Sequence, residues 1–243
     1  MIETLALQAK DHLEKVIIPF WLRLKDEEYG GFYGKVGFDL TCYKKAPKGV
    51  VQTCRILYFF SEAALLLDDR ECHRAADHAY HFLINHAFDT THGGLFWSLS
   101  HNGEPEDPVK SSFCFAHGIL ALISYYRLSG EKLALEAALE LQALIEHQFS
   151  DTIGYKEVLN QDYSDITDAA ARFSKGSYGG SKTMNTLLHL LEAYESLYLI
   201  TKDENLMEYI NTLSELFVKH VYDDAQKALI IYFDDAMQRS SCY

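Results

Sequence analysis

Asp26-Glu27-Glu28-Tyr29-Gly30-Gly31-Phe32-Tyr33 returns as Asp89-Thr90-Thr91-His92-Gly93-Gly94-Leu95-Phe96, and more faintly as Asp151-Thr152-Ile153-Gly154-Tyr155. The copies lie roughly 60 residues apart, room for two helices of ordinary length plus their loops. Gly-Gly followed by large apolar residues suits a tight turn that feeds a short extended segment. After Val221, Tyr222-Asp223-Asp224 followed by Leu229-Ile230-Ile231-Tyr232-Phe233 opens a fourth connection of the same kind.

Between these turns the pattern is helical. Apolar residues recur near a 3.6 period from Thr4 to Leu24, and helices are predicted over Val50–Leu67, Arg70–His86, Ser112–Leu128, Lys132–Phe149, Ser181–Ile200 and Glu204–Val221. The second and fourth are apolar on nearly every face and the sixth is rich in Leu, whereas the third, fifth and seventh are amphipathic. A helix apolar all round has to be covered on all sides, while an amphipathic one can face water. That alternation predicts an all-α fold, a toroid of helical hairpins with an inner ring sheathed by an outer one and short β pieces on one face. Residues 1–243 read as one domain. A closed ring of six hairpins takes about twelve helices, so seven make an incomplete ring with an open edge, through which the chain is expected to self-associate.

Composition narrows the function. The 22 Lys+Arg against 35 Asp+Glu give a net charge of −13, the wrong sign for nucleic acid or an anionic membrane surface. At 48% hydrophobic and 13% aromatic residues the chain has a core to bury and is not disordered. The 5 Cys are odd in number with no Cys-x-x-Cys pair, so free thiols in a cytoplasmic protein are expected. Met1-Ile2-Glu3-Thr4 does not begin a signal peptide, and no uninterrupted apolar run approaches the ~20 residues of a membrane span.

Few residues stand out as chemistry. Arg55 sits in Val50-Val51-Gln52-Thr53-Cys54-Arg55-Ile56-Leu57-Tyr58-Phe59-Phe60, a helix without a visible solvent face. A guanidinium there is either paired in the core or binds an anion in a central cavity. Asn185 and His189, four apart, stack on one face of an otherwise apolar helix and point either into that cavity or at neighbouring backbone. His117, in Phe113-Cys114-Phe115-Ala116-His117-Gly118, reads as a satisfied core histidine. His73, His78, His81 and His86 lie on an amphipathic helix and are expected to be mostly solvated, with no third ligand in place for a metal. Asp68, Asp69, Asp223, Asp224, Asp234 and Asp235 fall in turns. Gly-x-Gly-x-x-Gly after a strand, a P-loop and Gly-x-Ser-x-Gly are all absent from the sequence.

Several segments resemble the cellobiose 2-epimerases of the N-acylglucosamine 2-epimerase superfamily. They are Gly30-Gly31-Phe32-Tyr33-Gly34-Lys35-Val36, Lys45-Ala46-Pro47-Lys48-Gly49-Val50-Val51, Arg55 to Ser61, Gly93-Gly94-Leu95-Phe96-Trp97-Ser98 and, most specifically, Met184-Asn185-Thr186 with His189 to Tyr194. The resemblance implies an (α/α)6 barrel that inverts C2 of the reducing-end glucose of a β-1,4-linked disaccharide through an enediolate, with no metal or other cofactor. It assigns Arg55 to the enediolate and Phe113, Asn185 and His189 to the sugar. Two departures accompany it. Where the family usually reads Lys-x-x-Tyr-x-Gln-Ala-Phe, this chain has Lys110-Ser111-Ser112-Phe113-Cys114-Phe115-Ala116-His117. The family's Tyr-Gly-His-Asp-Ile-Glu motif, which carries one of its proton-transfer histidines, does not occur in the 243 residues. The expectation is therefore a truncated epimerase lacking its acid/base histidines. The alternatives are a non-catalytic sugar-binding remnant or an aldose–ketose isomerase of the same superfamily.

Overall fold

The computed structural model describes residues 2–166 and 181–240. Seven helical stretches occur among them. Helix α1, Ile2–His12, runs on through a π turn at Leu13–Ile17 into Ile18–Leu22. Then come α2, Val50–Leu67; α3, Arg70–Phe82; α4, Ser112–Ser129; α5, Lys132–Leu144; α6, Met184–Thr201; and α7, Glu204–Leu216. Helices α3, α5 and α7 also end in five-residue π turns, at Leu83–Ala87, Ile145–Phe149 and Phe217–Val221. The predicted boundaries agree to within three residues once these turns are counted.

Local chemistry sets the ends. Asp69 caps α3 by accepting the N–H groups of Glu71 and Cys72, and Ser111 and Thr183 cap α4 and α6 by accepting those of Cys114 and Thr186. Helices α2, α4 and α6 each stop at a left-handed residue: Asp68, Gly130 and Lys202.

Helices α2, α4 and α6 stand side by side, each backed by the next helix in the chain, α3, α5 or α7. This is the inner and outer layering of part of an (α/α)6 toroid. The core lies between the layers, built from residues such as Leu57, Phe60, Phe115, Leu122, Leu141, Leu187, Leu190 and Tyr194. Helix α2 has the length and hydropathy of a membrane span, yet half of its residues are buried, packed against α3 and α4.

One expectation fails. The inner helices are not covered on all sides: Arg55, Tyr58, Leu65 and Leu66 of α2 and Asn185, Leu188 and Leu199 of α6 are exposed. They occupy the face turned away from the outer layer, which apolar patterning alone does not distinguish from core. Leu5, Leu7 and Val16 of α1 are exposed as well.

The short strands gather at the end where the inner helices begin. Strand β1, Lys48–Gly49, pairs with β2, Ser98–Leu99, which pairs with β3, Pro105–Asp107. Strand β4, Lys110–Ser111, pairs with β7, Val158–Leu159, while β5, Ser150–Asp151, and β6, Gly154–Tyr155, form a hairpin. Strand β8, Lys182–Thr183, pairs with β11, Tyr232–Phe233, and β9, Tyr222–Asp223, with β10, Ala228–Leu229. Each strand that leads into an inner helix thus pairs with the connection of the following repeat.

Those strands carry an ion pair that the repeat concealed. Lys48 donates to Asp26 at 2.7 Å and to the Gly30 carbonyl at 2.7 Å. Lys110 does the same with Asp89 and Gly93, both at 2.8 Å, and Lys182 with Asp151 at 2.8 Å and Ile153 at 2.7 Å. All three lysines are buried. The other oxygen of Asp26 and of Asp89 accepts two backbone N–H groups of its own turn. Burial alone raises the Asp89 carboxyl, but hydrogen bonds from Lys110, Gln161, Thr91 and His92 outweigh it and hold the group below the usual carboxylate range.

Candidate active site

The concave face of the inner helices holds a cleft of about 360 Å³, lined by Cys54, Arg55 and Tyr58 of α2, His117 and Leu120 of α4, and His189, Glu192, Glu195 and Ser196 of α6. Its walls are fixed relative to one another by polar contacts at both ends of the helices. At one end Glu62 of α2 accepts from Ser124 at 2.5 Å and from Arg127 of α4 at 2.7 Å. At the other, Ser112 donates its hydroxyl to the Lys156 carbonyl at 2.6 Å. The Glu157 carboxylate next to it accepts the Thr183 N–H at 2.7 Å and the Thr186 hydroxyl at 2.6 Å. The segment around Glu157 therefore ties the start of α4 to the start of α6, the two helices that carry His117 and His189.

The sequence-predicted residues come together in part. Arg55 and His189 line the same cleft. Arg55 is exposed, contrary to the buried setting its neighbours implied, and among the described residues it makes no hydrogen bond or ion pair. The core-salt-bridge reading of Arg55 is thereby set aside. Phe113 is one turn before His117 on α4, and its ring lies edge-on to His189, with centroids 5.3 Å apart. Asn185 is exposed one turn before His189 on α6 and does not line this cleft.

His117 matters more than a satisfied core residue would. Its ring is buried and packs against Phe113 and His189, with centroids 4.4 and 4.3 Å away. Its Nδ1 lies 3.0 Å from the Phe113 carbonyl. Burial, opposed by that carbonyl and reinforced by His189 and Arg55, lowers its pKa to about 4. The Nδ1 of His189 meets the Glu192 carboxylate at 2.7 Å. Burial, and then Glu62 and Glu192, raise the Tyr58 pKa, so its hydroxyl keeps its proton at neutral pH. Across the cleft from the carboxylates of α6 stands the guanidinium of Arg55.

The other histidines are elsewhere, and not all are solvated. His78 packs on Phe32 and bonds the Gly31 carbonyl at 2.8 Å, because its face of α3 covers the first turn motif. Among the described residues no group of three or more His, Cys, Asp or Glu is placed to hold a metal ion. The cysteines Cys42, Cys54, Cys72 and Cys114 are free.

The fold places the chain in the class of helical-hairpin toroids, and sequence comparison gives the family. Residues 31–241 match the N-acylglucosamine 2-epimerase family, to which the chain belongs. Among curated relatives it is 38% identical to cellobiose 2-epimerase of Dictyoglomus turgidum, over 93% of this chain and 58% of that protein. It is also 38% identical to cellobiose 2-epimerase of Ruminococcus albus, over 97% and 59% respectively. The chain thus spans about three fifths of these relatives' length. The structure superposes on that of cellobiose 2-epimerase from Bacillus thermoamylovorans with a TM-score of 0.92 at 36% identity, covering 98% of this chain and 61% of that one. A D-mannose isomerase structure at 19% identity and a TM-score of 0.80 shares the fold.

Proposed function

We propose that this chain carries the enediolate-binding side of a cellobiose 2-epimerase-type site, acting on the reducing-end glucose of a β-1,4-linked disaccharide. The observation that carries the reading is Arg55, an unpaired guanidinium in a cleft shared with His117 and His189. In the opened sugar, C2 is next to the aldehyde. When a base takes the C2 proton, the electron pair of that bond moves toward C1 and leaves negative charge on the carbonyl oxygen. A cation held in place before the reaction stabilises that charge without reorganising. Return of a proton to the opposite face of C2 completes the inversion.

In this reading Arg55 faces the enediolate, His189 holds a sugar hydroxyl with its ring oriented by Glu192, and Phe113 packs against the sugar. Asn185, one turn along α6, contacts the part of the disaccharide nearest the start of the helix. Tyr58 and Glu192 are further polar groups in reach. Proton transfer rests with the histidines that the family resemblance places in segments beyond those matched here.

The test is to incubate the purified chain with cellobiose and follow formation of the glucose–mannose disaccharide, alone and with the remaining segment of a cellobiose 2-epimerase added. The chain is expected to bind cellobiose, yet to turn over at least ~10²–10⁴-fold more slowly than a complete relative, the usual cost of missing acid/base catalysis. Robust turnover by the chain alone, lost in Arg55→Ala, would place the acid and base within these residues. Absence of any sugar binding would overturn the reading.

A further inference from the structure

We infer that His117 presents a fixed hydrogen-bond acceptor, its bare Nε2, to one hydroxyl of the reducing-end sugar, and so helps to set which sugar the cleft selects. This deepens the proposed function and rests on it. A backbone carbonyl can only accept, so the 3.0 Å contact between Nδ1 and the Phe113 carbonyl puts the ring proton on Nδ1. The remaining nitrogen then carries a lone pair and no hydrogen. Imidazole stays in this form through the neutral range, because the buried ring faces the guanidinium of Arg55 and the imidazole of His189. The ring lines the cleft rather than the core behind it, and no described side chain donates to its second nitrogen.

The chemistry this selects is narrow. A neutral imidazole nitrogen with no proton takes a donor, and a sugar hydroxyl is one. Beside it, Arg55 only donates and Glu192 and Glu195, when ionised, only accept. A hydroxyl that donates to His117 can still accept from Arg55, which orients it. In a ligand lacking that hydroxyl the nitrogen would be left unpaired on a partly dry wall, and sites built to bond a hydroxyl discriminate strongly against analogues without it. An apolar ring at this position, as the family pattern has, offers no such contact.

Two measurements decide it. In the chain labelled with ¹⁵N-histidine, His117 should show a protonated Nδ1 and an unprotonated Nε2 at neutral pH, and the Nε2 resonance should move when cellobiose is added. A ring protonated on Nε2, or a resonance unmoved at saturating cellobiose, overturns the inference without any variant. Calorimetry then compares the native chain with His117→Phe, using cellobiose and analogues that each lack one hydroxyl of the reducing-end glucose. The variant should bind cellobiose roughly fivefold more weakly, the worth of one net hydrogen bond, and a single analogue should abolish the difference. A loss of equal size with every analogue means that His117 only shapes the wall, and no loss means that it does not touch sugar; either overturns the inference while leaving the proposed function standing. A native chain that binds no sugar overturns both.

Discussion

Four cations near the starts of the inner helices are treated in opposite ways. Lys48, Lys110 and Lys182 are buried, each held by a carboxylate and a carbonyl in the turn that precedes it. Arg55, in the second turn of α2, is exposed in the cleft without a partner among the described residues. The contrast separates two uses of positive charge. A buried ammonium must have its full set of acceptors, since an uncompensated charge away from water is costly. An unpaired guanidinium, which the proposed function assigns to an anionic intermediate, can keep its donors free only where water hydrates them.

The sharpest way to break that contrast is Lys110→Met. It strands the Asp89 carboxylate in a buried turn, and removing one member of a buried pair typically costs ~3–5 kcal/mol. Urea unfolding monitored by circular dichroism should show a loss on that scale; a change below ~1 kcal/mol would place the pair among surface bridges instead. Gly94→Ala comes next. Gly94 has φ +71°, and a Cβ there would sit 2.3 Å from the Phe115 ring, so a loss of ~1–3 kcal/mol is expected from strain and overpacking.

A smaller effect comes from pH. Because the His117 pKa is lowered to about 4 in the folded protein, against an ordinary value of 6.5, the unfolded chain takes up a proton in that window that the folded one refuses. Its contribution to stability is intact above pH 6.5 and is lost as pH falls toward 4. The acid side of the Tm–pH curve should accordingly be shallower in His117→Phe, after allowance for the carboxylates that titrate there too. Arg55→Ala should barely register in unfolding, within ~0.5 kcal/mol, while cellobiose binding or complemented turnover drops at least tenfold. Equal losses in stability and binding would show that Arg55 holds the scaffold, as the lysines do.

Much of the fold was legible because two periods coexist in the sequence. The 3.6 period located the helices, and the Asp…Gly-Gly turns gave the length of the repeat. The concave face was not legible, since Leu65, Leu66 and Leu199 carry the same apolar signal whether they meet protein or solvent. The lysine pairs do leave a signal in the sequence: a lysine stands two positions before the first residue of α2, α4 and α6. The role of Glu157 had no such signal. It becomes visible only when β7 is paired with β4, bringing its carboxylate to the start of α6. In the cleft, the apolar neighbours of Arg55 suggest a sealed helix whereas the guanidinium is exposed, and a back-bonded ring such as that of His117 looks the same in sequence whether its other edge meets core or cleft.

The lysine staples also separate the length of a connection from the place where it delivers the chain. Asp and Lys are 22, 21 and 31 positions apart in the first, second and third connections, yet each pair closes within hydrogen-bond distance. Doubling the length of a flexible loop adds only ~0.6 kcal/mol of closure entropy. Insertions between the clasped residues can therefore accumulate cheaply while the entry point of each inner helix stays put. A designer could graft new loops into these spans, away from the paired strands and Glu157, without moving Arg55, His117 or His189.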